Sequence, residues 1–307
     1  ATDLDLEVTE RFPADIAIAG GTTVPAHMLY EIIRKLPDGA QVSLDNSGDA
    51  TQLVIRSGRS RFTLQALPDS DFPDLATGTL DHSFSLASAE LRRLIEKTQF
   101  AISTEETRYY LNGIYLHTID VMGHAMLRAV ATDGHRLARV EADAPQGSSG
   151  MPGIIVPRKA VSEILKLVET GVDTVAIEVS ASKIRLTFGE VVLTSKLIDG
   201  TFPDYQRVIP TANDKLLTVE KADFVAAVDR VSTISSERTR AVKLAVADGK
   251  LTLSVTNPDS GSAVEEIEVD YDQDAIEIGF NARYLLDIAA ELDGDTALIK
   301  LADAGSP

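Results

Sequence analysis

Carboxylates and imidazoles are the groups of this chain most able to do chemistry, and their spacing decides whether they can. In the run Thr2-Asp3-Leu4-Asp5-Leu6-Glu7, an extended backbone would put Asp3, Asp5 and Glu7 on one strand face. Such a face is open to a divalent cation or simply to water. The five histidines, His27, His82, His117, His124 and His135, show no paired spacing of the H-x-x-x-H kind, which argues against a histidine metal site. With no cysteine, the chain has no disulfides, thiolate zinc sites or cysteine nucleophile. Ser148-Ser149 and Ser235-Ser236 lack the G-x-S-x-G context of a hydrolase elbow, and neither glycine-rich phosphate-loop motif occurs. No catalytic residue, no metal and no cofactor is expected, and a hydrolase or metal enzyme using Asp3, Asp5 or His135 is the reading this disfavours.

The elements that would carry these residues must come from a chain of 307 residues, long enough for two or three domains with cores of their own. Apolar residues make up 44%, and no apolar run approaches the roughly 18 to 20 residues of a membrane helix. The absence of cysteine agrees with a reducing compartment, so a cytoplasmic location is expected, and no membrane partner is expected either. A formal charge of -18 repels phosphates at long range, which argues against a conventional DNA reader with a basic face.

The chain repeats itself. Thr22-Thr23-Val24-Pro25-Ala26 leads into a helix predicted from His27 to Leu36, and Ile154-Ile155-Val156-Pro157-Arg158 leads into one from Lys159 to Val168. A third copy begins at Phe280-Asn281-Ala282-Arg283. The first two copies run on to a shared ending, Phe72-Pro73-Asp74 and Phe202-Pro203-Asp204, a domain-sized period of about 130 residues. A second block recurs at a similar offset: Phe84-Ser85-Leu86 before a helix from Ala87 to Phe100, and Leu217-Thr218-Val219 before one from Glu220 to Val231. Ala131-Thr132-Asp133 is echoed by Val255-Thr256-Asn257 and by Ala1-Thr2-Asp3. Alternation predicts strands across Gln52 to Leu64, Lys183 to Lys196 and Lys250 to Val255, with turns at Ser57-Gly58 and Asp248-Gly249. Gln146 to Pro152 reads as an exposed loop.

The repeat predicts α+β domains at 1–80, 82–210 and 215–307, each a strand-rich layer with two helices. Only 82–210 is expected to be whole. The first is expected to lack its N-terminal half and the third its C-terminal strands.

Seven segments in order resemble the bacterial DNA sliding clamp family, the beta subunit of DNA polymerase III: Ala1 to Val8, Arg56 to Phe62, Phe72 to Leu75, Arg108 to Gly113 (RYYLNG), Val130 to Leu137 (VATDGHRL), Ile155 to Lys159 (IVPRK) and Ser195 to Pro210. The resemblance implies the DNA clamp fold, with repeated domains of two helices packed on antiparallel sheets, assembling into a ring as a head-to-tail homodimer. It also implies a processivity factor without catalytic residues. Its partners would be double-stranded DNA, held topologically and without sequence preference, and the polymerase III catalytic subunit, the clamp loader and other replication or repair proteins, through short linear motifs. The alternative within the same fold is a peptide-binding scaffold that does not close on DNA.

Matching the family residue by residue implies a peptide cleft at Arg108, Tyr110, Leu111, Thr132, Gly134, His135, Arg136, Leu137, Pro203, Arg207 and Val208. For Gly134 and Pro203 a turn required by the fold explains the residue as well as a direct contact does, and His135 is equally a structural hydrogen-bonding group. The resemblance also implies DNA-facing Arg92, Arg93, Lys97, Tyr109, Tyr110, Arg158 and Lys159, although solvated helix faces account for cations at such places too. A dimer interface is implied at Arg59, Arg61, Phe62 and Leu64 on one side and Thr233 and Ile234 on the other.

Overall fold

The computed structural model describes residues 1–46, 51–75, 78–236 and 240–306. The first third of the chain forms β1 (Leu6–Glu10), α1 (Ala26–Ile33), β2 (Ser43–Asp45), β3 (Gln52–Ser57) and β4 (Ser60–Gln65). Next come β5 (His82–Ala87), α2 (Ser88–Gln99), β6 (Gly113–Val121), β7 (His124–Thr132), β8 (Leu137–Asp143), β9 (Ile154–Pro157), α3 (Arg158–Val168), β10 (Thr174–Val179), β11 (Lys183–Phe188) and β12 (Val191–Lys196). The last third holds β13 (Lys215–Glu220), α4 (Lys221–Ser232), β14 (Ala241–Ala247), β15 (Lys250–Asn257), β16 (Gly261–Glu268), β17 (Ile276–Asn281), α5 (Ala282–Glu291) and β18 (Thr296–Leu301).

The predicted repeat is present in the strand pairing. One sheet has the order β8-β7-β6-β9 and another β16-β15-β14-β17, the same order of corresponding strands. The strand opening each block pairs antiparallel with the strand after the block's second helix: Val175 lies opposite Leu86 in β10 and β5, and Ala297 opposite Val219 in β18 and β13. Alternation puts Val175, Ile177 and Val179 of β10 inside, with Ile184, Leu186 and Phe188 of β11 beside them. Helix α3 buries Ala160, Val161, Ile164 and Val168, one stripe at helical spacing.

The proline signals mark real helix starts, with one refinement. Pro25 and Pro157 occupy the capping position just outside the helix, in extended conformation (ψ 112° and 145°), where no N–H is needed. In the third copy Asn281 takes that place, and its side chain accepts a hydrogen bond from the Arg283 N–H at 2.9 Å. Helix α1 stops at Ile33 rather than Leu36. Pro37 disfavours helical backbone at Leu36, and the last turn tightens to Lys35 N–H bonding Ile32 O and Leu36 N–H bonding Ile33 O.

Two expectations are corrected. The run Asp3 to Glu7 is not one strand face: Leu4 takes φ 80°, and the strand begins only at Leu6. The segment 146–152 is irregular but not simply exposed, since Ser148 and Met151 are buried and Ser148 Oγ donates to Pro145 O at 2.7 Å.

The chain packs as two compact units, Ala1–Ile95 with Gly113–Ala129 and Glu141–Asp199, and Glu96–Asn112 with Val130–Val140 and Gly200–Pro307. In the first, β1 adds to β12 with Leu6 opposite Ser195, so that the sheet runs β1-β12-β11-β10-β5. A smaller core of Leu53, Ile55, Leu64 and Ala66 packs against Leu29 and Ile32 of α1. In the second unit, Leu217, Phe224, Val228, Val242, Leu251 and Leu253 lie in one apolar cluster. The burial of such side chains, about 1.5–3 kcal/mol each, is the main stabilising term.

The hairpin between β6 and β7 turns at Met122 (φ 54°) and Gly123 (φ 86°), a two-residue loop with both residues left-handed. A methionine is poorly suited to the first of these positions. Met122→Asn is expected to stabilise the protein by about 0.5–1 kcal/mol, measured as a shift in the urea midpoint at unchanged slope; a lower midpoint would contradict the turn assignment.

Candidate functional site

The residues matched to a peptide cleft all fall in the second unit, on three segments: 108–111, 132–137 and 203–208. The turn between β7 and β8 is built by short polar side chains. Asp133 Oδ1 accepts from the His135 and Arg136 N–H groups at 2.9 and 3.0 Å. Thr132 Oγ1 accepts from Gly134 N–H at 3.0 Å and donates to Arg136 O at 2.7 Å. Gly134 stands at φ 88°, where any side chain is strained, and a Cβ there would fall on the Arg108 guanidinium. For Gly134 the turn therefore requires glycine, whatever else it does.

Arg108 ties the first segment to this turn. Its Nη2 donates to Asp133 O at 3.0 Å and its Nε to Glu105 Oε2 at 2.7 Å. That hydrogen bond holds the Glu105 carboxyl below the ordinary carboxylate range. Leu111 is buried, its carbonyl accepting from Ser103 N–H at 3.1 Å. Tyr110 meets Tyr109 edge to face at 5.8 Å, and Gly200 packs so closely on Tyr110 that a Cβ would come within 3.0 Å of its own Cβ. The third segment is anchored from below by buried Phe202 and Tyr205, whose rings meet at 6.5 Å, leaving Pro203, Arg207 and Val208 exposed above. Arg207 pairs with Asp204 at 2.8 Å. Leu137 is half-buried and Thr132 nearly closed off. His135 is exposed, its ring stacked on Tyr284 at 6.5 Å.

Arg136 differs from the rest. Each of its three guanidinium nitrogens has a partner within the protein: Asp133 Oδ2 at 3.1 Å, Asp287 Oδ2 at 2.6 Å and Phe100 O at 2.7 Å. Five residues that sequence reading did not single out, Phe100, Glu105, Asp133, Tyr284 and Asp287, therefore hold the matched ones in place. Asp133 was open to discovery as a turn-forming residue inside the VATDGHRL segment. Nothing local marks Asp287.

The residues matched to a DNA-facing surface divide by how firmly they are held. Arg93 bonds Glu90 Oε1 through Nε at 2.9 Å and Glu141 O through Nη2 at 2.5 Å. Lys97 donates to Glu291 O at 2.5 Å and to Asp293 at 2.9 Å. Lys159 pairs with Asp3 on the surface. Exposed pairs of the last kind exchange readily with other anions. Arg92, Arg158 and Tyr109 are exposed. On the residues matched to a dimer contact, Arg59 and Arg61 are exposed, Phe62 is half-buried, and Leu64 is turned into the small core. Thr233 Oγ1 donates to Asp229 O at 3.4 Å, and half-buried Ile234 offers its carbonyl to Asn257 Nδ2 at 3.0 Å.

The three carboxylates that opened the sequence are each engaged with protein. Asp3 pairs with Lys159, Asp5 with Lys196 at 3.1 Å, and buried Glu7 accepts from Leu75 N–H at 3.1 Å. Among the described residues no three potential ligands cluster as a metal site would require. Nor, among the described residues, is any helix long and apolar enough to cross a membrane.

The same architecture occurs in solved structures. A sliding clamp (DNA polymerase III subunit beta) from Bartonella birtlesii bound to griselimycin matches at TM-score 0.95 and 55% identity, over 100% of this chain and 82% of that one. A Caulobacter crescentus beta sliding clamp, with polyethylene glycol bound to a proposed beta-motif tethering region, matches at TM-score 0.96 and 55% identity over the same shares. The fold is thus the α+β DNA clamp fold. Three stretches match the DNA polymerase III beta subunit: its N-terminal domain over 1–76, its central domain over 85–204 and its C-terminal domain over 206–307. The beta sliding clamp of Caulobacter vibrioides is 56% identical over 307 residues, all of this chain and 82% of the relative, and that of Pseudomonas aeruginosa is 40% identical over 306, 99% and 82%. The chain belongs to the bacterial beta sliding clamp family, the beta subunits of DNA polymerase III, which are non-enzymatic processivity factors.

Two outcomes follow from the geometry. The Lys159 hydrogen bond, strongest among several effects, lowers the Asp3 pKa from 3.8 to about 2. Because the folded value is the lower one, the pair's contribution is present above pH 3.8 and is lost as pH falls toward 2. An NMR titration should place the Asp3 midpoint near 2 and, in Lys159→Ala, closer to 3.8; equal midpoints would dismiss the pair. Gly134→Ala should cost about 1–2 kcal/mol in chemical denaturation, most of it from backbone strain, since the Arg108 tip can swing aside. A neutral substitution would mean that the turn relaxes freely.

Proposed function

We propose that this chain works as a head-to-tail homodimer closed around duplex DNA, tethering a DNA polymerase to its template. The single observation that carries the reading is coverage: matches to all three beta subunit domains run in order through the chain, on a structure whose internal sheet order repeats. The working division is three clamp domains at 1–80, 82–210 and 215–307, in the bacterial cytoplasm.

A ring resolves the charge problem. A chain of net charge -18 binds DNA poorly by attraction, but a closed ring is retained by topology and needs only a modestly positive inner wall. Arg92, Arg93, Arg158 and Lys159, with Tyr109 and Tyr110, are assigned to that wall, and Lys97 serves it through a more committed ion pair. Partners, among them the polymerase catalytic subunit and the clamp loader, would dock short peptides against the segments 108–111, 132–137 and 203–208. The exposed Val208, half-buried Leu137 and the Tyr110 ring offer apolar contact, while Arg207 is available to carbonyls or acids. Dimer closure is assigned to Arg59, Arg61 and Phe62 against Thr233 and Ile234, with Leu64 supporting Phe62 from the core side.

The test is topological. Dimer loaded by its clamp loader onto nicked circular DNA should survive a wash in high salt and be released when the circle is cut once. Retention on linear DNA with free ends, or loss from the intact circle in salt, would overturn the ring.

A further inference from the structure

Helix α5 has two working faces. Ala282, Leu285, Leu286 and Ala289 pack into the apolar cluster of their unit or are buried beside it. Tyr284, Asp287 and Glu291, spaced i, i+3 and i+7, lie on another face. That face meets two cations from other segments of the same unit. Arg136 Nη1 donates to Asp287 Oδ2 at 2.6 Å with its guanidinium 4.5 Å from the Tyr284 ring centroid, and Lys97 donates to the Glu291 carbonyl at 2.5 Å.

Arg136 is the node of this seam. Besides Asp287 it bonds Asp133 in its own turn and the Phe100 carbonyl, and its guanidinium also lies 5.2 Å from the Phe100 ring centroid. Its side chain is only 14% exposed. A guanidinium this enclosed, with a partner on every nitrogen, is poorly placed to bond an incoming peptide. Removing Asp287 would leave a largely buried cation short of its one carboxylate partner from α5, with only the Tyr284 ring remaining there, a costly state that the side chain relieves by turning toward water. Turning out would release the Phe100 carbonyl and free the turn that carries Gly134, His135 and Leu137.

We infer that Asp287 is a positioning residue for the peptide cleft, acting through Arg136 and touching no peptide itself. Helix α5 thereby sets where the 132–137 turn stands. The inference rests on the cleft reading given above, and it moves Arg136 from ligand to support.

The test is fluorescence anisotropy on the full chain, with a labelled six-residue peptide carrying two leucines and a terminal phenylalanine. Wild type should bind, and Leu137→Ala should weaken binding. Asp287→Asn and Arg136→Gln should each weaken it roughly tenfold, and the double variant by no more than the stronger single. Asp287→Glu, which keeps the charge, should recover most of the loss, a rescue that a general loosening of the fold would not show. Far-UV circular dichroism checks that each variant is folded, and if Asp287→Asn is not, the Arg136→Gln and Asp287→Glu pair decides. Wild-type affinity in Asp287→Asn, or singles whose losses multiply in the double variant, would overturn the positioning role and leave the cleft standing. Absence of peptide binding by wild type would instead remove the cleft, and the role with it.

Discussion

Each repeat closes through one long-range strand pairing, β5 with β10 and β13 with β18, and the rest of its architecture depends on it. Between the paired strands the chain must fit a helix, four strands and a second helix. Once the ends are joined, the four intervening strands form one sheet of fixed order, 8-7-6-9 or 16-15-14-17, and both helices are tied to neighbouring strands at each end. The pairing also fixes register, because the inward residues Val175 and Leu86, or Ala297 and Val219, face each other only in one alignment.

On that frame, acidic residues do most of the positioning. Glu105, Asp133 and Asp287 hold Arg108 and Arg136, while Asp3 and Asp5 hold Lys159 and Lys196. The excess of carboxylates that argued against DNA recognition at the level of composition is thus partly an internal scaffold for cations. Among these pairs burial decides the consequence: a pair such as Asp287 with Arg136 constrains geometry, whereas one such as Asp5 with Lys196 leaves both partners available to other ions.

Sequence reading found what is local or periodic. Prolines 25 and 157 marked helix entries, alternation marked β3, β4, β11, β12 and β15, and the offset between similar segments revealed the repeat. The irregular backbone at Leu4, the end of α1 and the buried Ser148 were less legible, because a positive φ, a tightened last turn and a side chain bonded within its own loop leave little trace in composition. The residues matched to a cleft came from family resemblance. Their supports were the least visible, since Asp287 lies far along the chain from Arg136 and belongs to an ordinary amphipathic helix. Contacts between distant segments have no signature in one sequence.

The addition of β1 to the far edge of the sheet, beside β12, has a consequence in time. A ribosome makes the chain from its N-terminus, so Leu6 to Glu10 emerge well before their partners Val191 to Ser195, which follow only after residues 11 to 190. At usual elongation speeds of about 5–20 residues per second, the interval is on the order of ten seconds or more. Throughout it the early segment is a strand without a sheet, and its backbone donors must be kept from foreign edges by water or by a chaperone. Newborn chains are therefore at greatest risk of mispairing before β12 is released, and a pause in translation upstream of residue 191 would lengthen that exposure directly.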